Sequence, residues 1–96
     1  MPSSELAEQR EGFLQSLRRA NLSAHTIRSY RSDLKQFAEY CSPPGESPPA
    51  LASIDILLIR EFMGDCFRRG NTNRSVSRKL SALRAFFKFL VREGIV

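Results

Sequence analysis

The sequence predicts an all-α fold in which four helices pack as a bundle. Apolar residues recur at helical spacing in four segments, and capping or helix-breaking residues bound each segment. No segment alternates apolar and polar residues in the sustained way that a strand requires, so strands are not expected. A chain of 96 residues, 42% of them hydrophobic, is expected to form one small domain, residues 1–96, around one core.

The first two helices are predicted in the N-terminal half. The first spans about Glu5 to Arg19, with Ser4 as its N-cap. The second begins at Ser23, whose hydroxyl can accept hydrogen bonds from the first-turn amides, and continues to about Tyr40. Residues 42–50 contain four of the five prolines, so they are predicted to form an extended loop that cannot continue a helix. The apolar faces comprise Leu6, Phe13, Leu14 and Leu17 in the first helix, and Ile27, Tyr30, Leu34, Phe37 and Cys41 in the second.

The other two helices are predicted in the C-terminal half. The third starts near Asp55, a good capping residue, and ends in Arg68-Arg69-Gly70, where cations meet the negative end of the helix. The fourth opens after Asn71-Thr72-Asn73 and runs to about Glu93, before Gly94. The core-facing residues are predicted to be Ile56, Ile59, Phe62, Met63, Cys66 and Phe67 in the third helix, and Val76, Leu80, Leu83, Phe87, Leu90 and Val91 in the fourth.

The two cysteines, Cys41 and Cys66, are interpreted as core thiols because each lies on an apolar helical face. They show no CxxC spacing and the chain has one histidine, so neither a zinc site nor a disulfide framework is expected, and no cofactor is predicted. No apolar run approaches the roughly 20 residues that span a bilayer, and residues 1–11 lack the order of a signal peptide. A cytoplasmic location without a membrane partner is therefore expected.

Positive charge is concentrated in the fourth helix. The formal net charge is +5 and the sequence pI is about 9.9. Residues 72–96 contain six basic residues against one acid, and so account for the whole excess. On the second helix, the side opposite the apolar face carries His25, Arg28, Ser29 and Ser32, and the N-terminal amides could hold a phosphate. At about 100° per residue, the polar side of the fourth helix comprises Arg74, Ser77, Arg78, Ser81, Arg84 and Lys88.

Clustering of one sign of charge on two helices favours a polyanion as the partner, although most charged helical faces only provide solubility. On the second helix, Asp33 and Glu39 dilute the positive field. A membrane surface fits poorly, because three other amphipathic helices compete for the apolar face. RNA also fits poorly, because most aromatic residues lie on core-facing stripes and leave no stacking platform. Duplex DNA is therefore the leading partner.

Two sequence blocks carry more information than their helical spacing. Residues 75–96, SVSRKLSALRAFFKFLVREGIV, match the pattern RxLSALRxFFxFLxxxG. Residues 21–41, NLSAHTIRSYRSDLKQFAEYC, contain a second pattern, whose positions are Ser23, Thr26, Tyr30, Asp33, Leu34 and Phe37. The first block resembles the last helix, and the second block the opening, of the core-binding domains of Xer-type tyrosine recombinases and phage integrases.

The resemblance implies an orthogonal four-helix bundle, the SAM-like core-binding domain, which forms the N-terminal half of a C-shaped clamp around duplex DNA. Its second and fourth helices would lie across the major groove. The implied partners are duplex DNA, the C-terminal catalytic domain of the same full-length protein, and other recombinase protomers on DNA. By the resemblance, the DNA-facing residues are Thr26, Ser29, Arg78, Ser81 and Arg84. Helix-face geometry alone adds His25, Arg28, Arg74 and Ser77 as DNA-binding candidates.

The chain by itself is expected to be non-catalytic. In this family the residues that follow Gly94-Ile95-Val96 lead into the domain with the nucleophilic tyrosine. Tyr30 lies on the core face, and neither Tyr30 nor Tyr40 has the neighbouring groups that phosphodiester attack requires. The alternative function is a helical protein-interaction module whose basic face meets an acidic partner. Residues 42–49 do not map onto the family pattern.

Two further expectations concern single positions on the fourth helix. Phe89 is predicted near its basic side, as a partly covered surface aromatic residue or, by the resemblance, as a contact to the catalytic domain or a neighbouring protomer. Arg78 and Arg84 are expected to be solvated. Replacing both with glutamate should therefore abolish DNA binding with little change in melting temperature.

Overall fold

The structure, a computed structural model, describes residues 5–42, 45 and 49–96. The described residues contain no strand, and the helix bounds agree with the predicted ones to within about two residues, which confirms the all-α fold. The predicted cap Ser4 and most of the predicted loop 42–50 lie outside the described residues. The helices are α1 (Glu5–Arg19), α2 (Ala24–Cys41), α3 (Ile56–Arg68) and α4 (Asn73–Arg92), with a 3-10 turn at Leu51–Ser53 before α3.

Side chains cap the N-terminal ends of α2, α3 and α4. The Ser23 hydroxyl accepts from the Thr26 amide at 3.1 Å, and the Asp55 carboxylate accepts from the amide three residues later at 3.0 Å. Thr72 caps α4 in the same way, at 3.2 Å. Each cap satisfies a first-turn amide that has no partner within its own helix, which is why these residue types mark the helix starts in the sequence.

Left-handed residues end α1, α3 and α4. Asn21, Gly70 and Gly94 have φ angles of 61°, 91° and 71°. The amide that follows each of them donates to the carbonyl five residues back, at 3.2, 3.0 and 2.9 Å respectively. This arrangement satisfies carbonyls of the last turn and reverses the chain. Glycine adopts a positive φ without steric cost, which explains the glycines that follow α3 and α4.

Helix α4 is the centre of the bundle, because it packs against α1, α2 and α3. Phe13 of α1 contacts Tyr30 of α2 and both Phe86 and Phe89 of α4, with ring centroids 6.4, 5.5 and 5.7 Å away. These rings join three helices in one apolar cluster, so the exposed side of α4 is fixed by the packing on its other side.

The buried face of α4 differs from the predicted one. Phe89, predicted near the basic side, is only 6% exposed and packs against Phe13. Val91, predicted to be buried, is 64% exposed, while Leu80 and Phe87 are half-buried. Phe89 is buried because Phe13 of α1 packs against it, so the buried arc extends to the side of α4 that carries Phe89. The buried residues of α4 are Val76, Lys79, Ala82, Leu83, Phe86, Phe89 and Leu90.

Helix α3 buries less than the sequence predicts. Phe62 and Cys66 are buried as predicted, but Ile56 is 60% exposed and Phe67 is 46% exposed. The principal neighbour of α3 is α4, and a helix with one main neighbour buries a narrower stripe than a central helix does. The predicted core positions at the two ends of α3 therefore face solvent.

Both cysteines are free thiols that pack into the core, as predicted: Cys66 is buried and Cys41 is half-buried. Burial disfavours the thiolate, so it raises the pKa of Cys66 and raises that of Cys41 to about 11. Across the described part of the chain, no group of three or more histidine, cysteine or acidic side chains could hold a metal ion. No helix within the described residues combines the length and apolar character needed to cross a bilayer.

Candidate nucleic-acid interface

One side of α4 carries a continuous row of exposed cations and hydroxyls. It lies opposite the buried Phe86 and Leu90, and it contains no acidic residue. Because the buried side is fixed by three neighbouring helices, the row cannot rotate into the core without breaking the bundle. We call this row the basic face, and it comprises Arg74, Ser77, Arg78, Ser81, Arg84 and Lys88, all exposed.

The candidates on α2 lie in different environments. His25 and Arg28 are exposed, and Arg28 lines a groove with Arg18 and Arg31 whose lining residues all come from α1, α2 and the turn between them. The Thr26 hydroxyl accepts from Ser23 at 2.9 Å within the helix cap. These residues lie at the N-terminal end of α2, and within the described part of the chain none of them forms a hydrogen bond or ion pair with α4, so we treat them as a second candidate surface.

The structure does join α2 to the basic face, through a residue that is not on the predicted site. The carboxylate of Asp33 accepts from Arg78 Nε at 3.0 Å and from Arg78 Nη2 at 2.9 Å. Lys79 Nζ donates to the same carboxylate at 3.1 Å and to Gln36 Oε1 at 2.7 Å. We call these four side chains the polar network. Ser29, a predicted DNA contact, is half-buried one helical turn before Asp33.

Two charged members of the polar network are buried, so the fold requires them to be paired. The side chain of Asp33 is fully buried and that of Lys79 is 4% exposed, while Arg78 remains 49% exposed. A buried carboxylate is tolerated only when it is paired and hydrogen-bonded, and here three N–H donors satisfy it. Hydrogen bonding to Asp33 is the main reason that the pKa of Arg78 is raised above its ordinary value, against the lowering effect of burial.

Arg78 and Arg84 are both exposed, as expected, but the Arg78 guanidinium is also ion-paired with a buried carboxylate. The expectation that replacing both residues leaves the melting temperature nearly unchanged did not include this ion pair. A glutamate at position 78 would place a second carboxylate beside the buried Asp33. Two neighbouring negative charges repel each other strongly where water does not screen them. The double replacement at 78 and 84 would consequently lower stability as well as charge.

Sequence reasoning counted Lys79 among the six cations of residues 72–96, without placing it on the polar side of the fourth helix, and counted Asp33 among the acids that reduce the positive charge of the second helix. A signal was present: Asp33 lies three residues after Tyr30 and four before Phe37, and Lys79 lies three after Val76. Both charged residues thus stand at core spacing on their helices. Opposite charges at core positions of two helices indicate a buried ion pair.

Comparison with known proteins agrees with this architecture. A family model described as "Phage integrase, N-terminal SAM-like domain" matches residues 11–94. The chain is 40% identical over 75 residues to "Tyrosine recombinase XerC" of Syntrophus aciditrophicus, a match that covers 73% of this chain and 24% of that protein. It is 40% identical over 76 residues to the protein of that name from Oceanobacillus iheyensis, covering 79% of this chain and 24% of the relative.

A more distant relative is "Tyrosine recombinase XerC" of Thermodesulfovibrio yellowstonii, 34% identical over 74 residues, with 77% of this chain and 23% of the relative covered. The chain thus spans about a quarter of the length of the curated relatives it matches. No solved structure shows significant similarity to it. The family match covers most of the chain, including residues 21–41 and residues 75–94 of the two blocks that suggested the resemblance, so the chain belongs to the phage integrase N-terminal SAM-like domain family.

Proposed function

We propose that this chain binds duplex DNA as the N-terminal clamp half of a tyrosine site-specific recombinase or integrase, in DNA integration and recombination. One observation supports this most strongly: α4 presents a row of cations and hydroxyls, without an acid, on the side that the bundle leaves exposed. Lysine and arginine neutralise phosphates, and serine hydroxyls beside them allow close approach to the DNA backbone. The curated relatives are named tyrosine recombinases.

In this proposal residues 1–96 form one DNA-binding domain that contributes binding rather than catalysis. Its further partners are the C-terminal catalytic domain of the full-length protein and other recombinase protomers on DNA. The predicted contacts are the basic face of α4 together with His25, Thr26, Arg28 and Ser29 of α2. Lys79 is buried against Asp33, so the cations that the basic face offers to phosphates are Arg74, Arg78, Arg84 and Lys88.

The test is titration of a fluorescein-labelled duplex of about 30 base pairs and mixed sequence, followed by fluorescence anisotropy at several salt concentrations. A handful of phosphate contacts predicts a slope of about −4 to −6 for log K against log salt. The variant Arg74→Glu/Arg84→Glu should bind the duplex at least about tenfold more weakly. Its slope of log K against log salt should be less negative than that of wild type by about 2. Both residues are exposed, so its melting temperature should stay near that of wild type.

The matched control is Arg19→Glu/Lys35→Glu, which changes the net charge equally at exposed positions outside the basic face and outside the α2 candidates. It should lose far less affinity than Arg74→Glu/Arg84→Glu. Equal losses in the two double variants would show that only net charge matters. A wild-type chain that does not bind the duplex at low salt would contradict the proposed function.

The alternative, a helical interaction module for an acidic protein partner, is supported by exposed apolar side chains beside the cations. Ile56, Leu57 and Val91 are 60%, 61% and 64% exposed, and Val91 lines a surface groove with Arg84 and Lys88. Exposed apolar residues rimmed by charge are typical of protein contacts. Competition with poly-glutamate distinguishes the two functions, because a module for acidic proteins would show no preference for the duplex over this polyanion.

A further inference from the structure

Arg78 differs from the other cations of the basic face because its guanidinium is already held in place. Nε and Nη2 donate to the two oxygens of Asp33 at 3.0 and 2.9 Å, so one edge of the planar group is occupied. Lys79 donates to the same carboxylate from inside the bundle, at 3.1 Å. The Arg78 side chain is nevertheless 49% exposed, so the ion pair with Asp33 leaves about half of this side chain open to solvent.

The chemistry of the guanidinium determines what is left for a ligand. Its five N–H donors lie in one plane. When Asp33 accepts along the edge formed by Nε and Nη2, the outer edge still offers two parallel N–H bonds, one from each Nη nitrogen. Two parallel donors match a pair of adjacent acceptors, such as two phosphate oxygens or the N7 and O6 atoms of guanine. An ammonium group has no such fixed fork.

We propose that Asp33 is a positioning residue, which fixes the Arg78 guanidinium so that its outer edge makes a bidentate contact with duplex DNA. The inference rests on the DNA-binding function proposed above. A free arginine loses rotamer entropy when it binds, whereas Arg78 is ordered before the ligand arrives. Asp33 thus aids a DNA contact although its own charge repels phosphate.

Arg84 supplies the internal comparison. It is exposed on the same face of the same helix, and within residues 5–42, 45 and 49–96 its guanidinium has no hydrogen-bond or ion-pair partner. Its contribution to DNA binding is therefore that of a charge on a flexible stem, which lysine can replace. The contribution of Arg78 depends on the shape of its fork, which lysine cannot replace.

The first experiment compares Arg78→Lys with Arg84→Lys on the mixed-sequence duplex, since both variants keep the charge. Arg78→Lys should weaken binding about tenfold, in line with the value of one bidentate contact, and Arg84→Lys should change it by less than about twofold. The salt slope should stay unchanged in both. Equal affinities of the two variants would overturn the proposal, and thermal melts verify that both are folded at the binding temperature.

The second experiment asks whether removing the negative charge of Asp33 strengthens or weakens DNA binding. Asp33→Asn raises the net charge by one, so charge alone predicts tighter DNA binding, whereas loss of positioning predicts weaker binding. The matched control Glu39→Gln removes an exposed acid from the same helix and should bind the duplex as tightly as wild type or slightly more tightly. Tighter binding by Asp33→Asn, as in the control, would overturn the proposal.

Because Asp33→Asn leaves the buried Lys79 without its counter-ion, a second variant covers the case in which it does not fold. Asp33→Asn/Lys79→Met removes both buried charges, keeps the net charge, and leaves Arg78 with at most one acceptor at position 33, the amide oxygen, in place of two carboxylate oxygens. It should be folded and should lose about as much DNA affinity as Arg78→Lys. Wild-type affinity in this double variant would contradict a positioning role.

A duplex in which 7-deazaguanine replaces guanine identifies the acceptor. If Arg78 contacts guanine, wild type should bind this duplex as weakly as Arg78→Lys binds the normal one; if it contacts phosphate, wild type should bind both equally. In either case Arg78→Lys must remain weaker than wild type on the normal duplex. Failure of the DNA-binding proposal looks different, because wild type and Arg84→Lys would then not bind either duplex.

Discussion

The polar network and the basic face both include cations of α4, yet the fold uses these cations differently. Lys79 is buried and paired with Asp33, whereas Arg84 and Lys88 are exposed and, within the described residues, form no ion pair with an acid. Arg78 belongs to both, since one edge of its guanidinium is paired with Asp33 while its side chain is 49% exposed. A count of cations along a helix therefore overstates the number of charges that are available to a bound polyanion.

The largest expected effect comes from breaking the polar network. Asp33→Ala leaves a lysine buried without its counter-ion, so we expect the free energy of unfolding to fall by about 3–5 kcal/mol. Urea denaturation measures this loss. The control Glu39→Ala, at an exposed site on the same helix, should change it by less than about 0.5 kcal/mol. A fall of less than about 1 kcal/mol for Asp33→Ala would show that the buried pair does not stabilise the fold.

A cavity in the apolar side of α4 should have the next largest effect. Leu83 is 2% exposed, so Leu83→Ala should lower the free energy of unfolding by about 3 kcal/mol, through lost burial and an unfilled cavity. Val91→Ala is the matched control on the same helix: Val91 is 64% exposed, and its truncation should change stability by less than about 0.5 kcal/mol. Comparable losses in both variants would mean that the buried arc of α4 is assigned incorrectly.

Burial should also be visible in thiol chemistry. The pKa of Cys41 is raised by burial from 9.0 to about 11, so almost no thiolate is present in the folded chain at pH 8. Alkylation by iodoacetamide at pH 8 should therefore be at least about tenfold slower in buffer than in denaturing urea, as followed by mass spectrometry. Equal rates would contradict the packing of this thiol against the core.

The sign of the pH dependence follows from the same shift. The folded pKa of Cys41 lies above its ordinary value, so the protonated thiol favours the folded state. This contribution to stability is present below pH 9.0 and is lost as the pH rises towards about 11. Cys41→Ser should remove that part of the alkaline loss of stability.

The sequence was sufficient to predict the helices, since periodicity and caps are local signals. Ser23 and Asp55 cap the helices that they were predicted to start, and Gly94 follows the last one. Features that depend on partners distant in sequence were missed. The Glu5 carboxylate accepts from the amide of Leu51 at 3.0 Å, which ties the unpredicted 3-10 turn to α1 across a separation of 46 residues.

The same reason explains the errors at the candidate site. The exposure of Arg74 and Arg84 follows from helical spacing alone, but the burial of Lys79 requires its pairing with Asp33, 46 residues away. Phe89 was placed near the basic side because its helix was assumed to have one buried stripe, and the packing of α1 against α4 widens that stripe. Periodicity locates a face, whereas packing decides its width.

The most direct test of the difference between the polar network and the basic face is the salt dependence of DNA binding by Lys79→Met and Arg84→Met. Each variant removes one positive charge from α4, and the two positions are five residues apart. Arg84→Met should reduce the slope of log K against log salt by about 1, while Lys79→Met, whose buried ammonium group cannot contact a phosphate, should leave the slope at the wild-type value. Equal reductions in both variants would contradict the account.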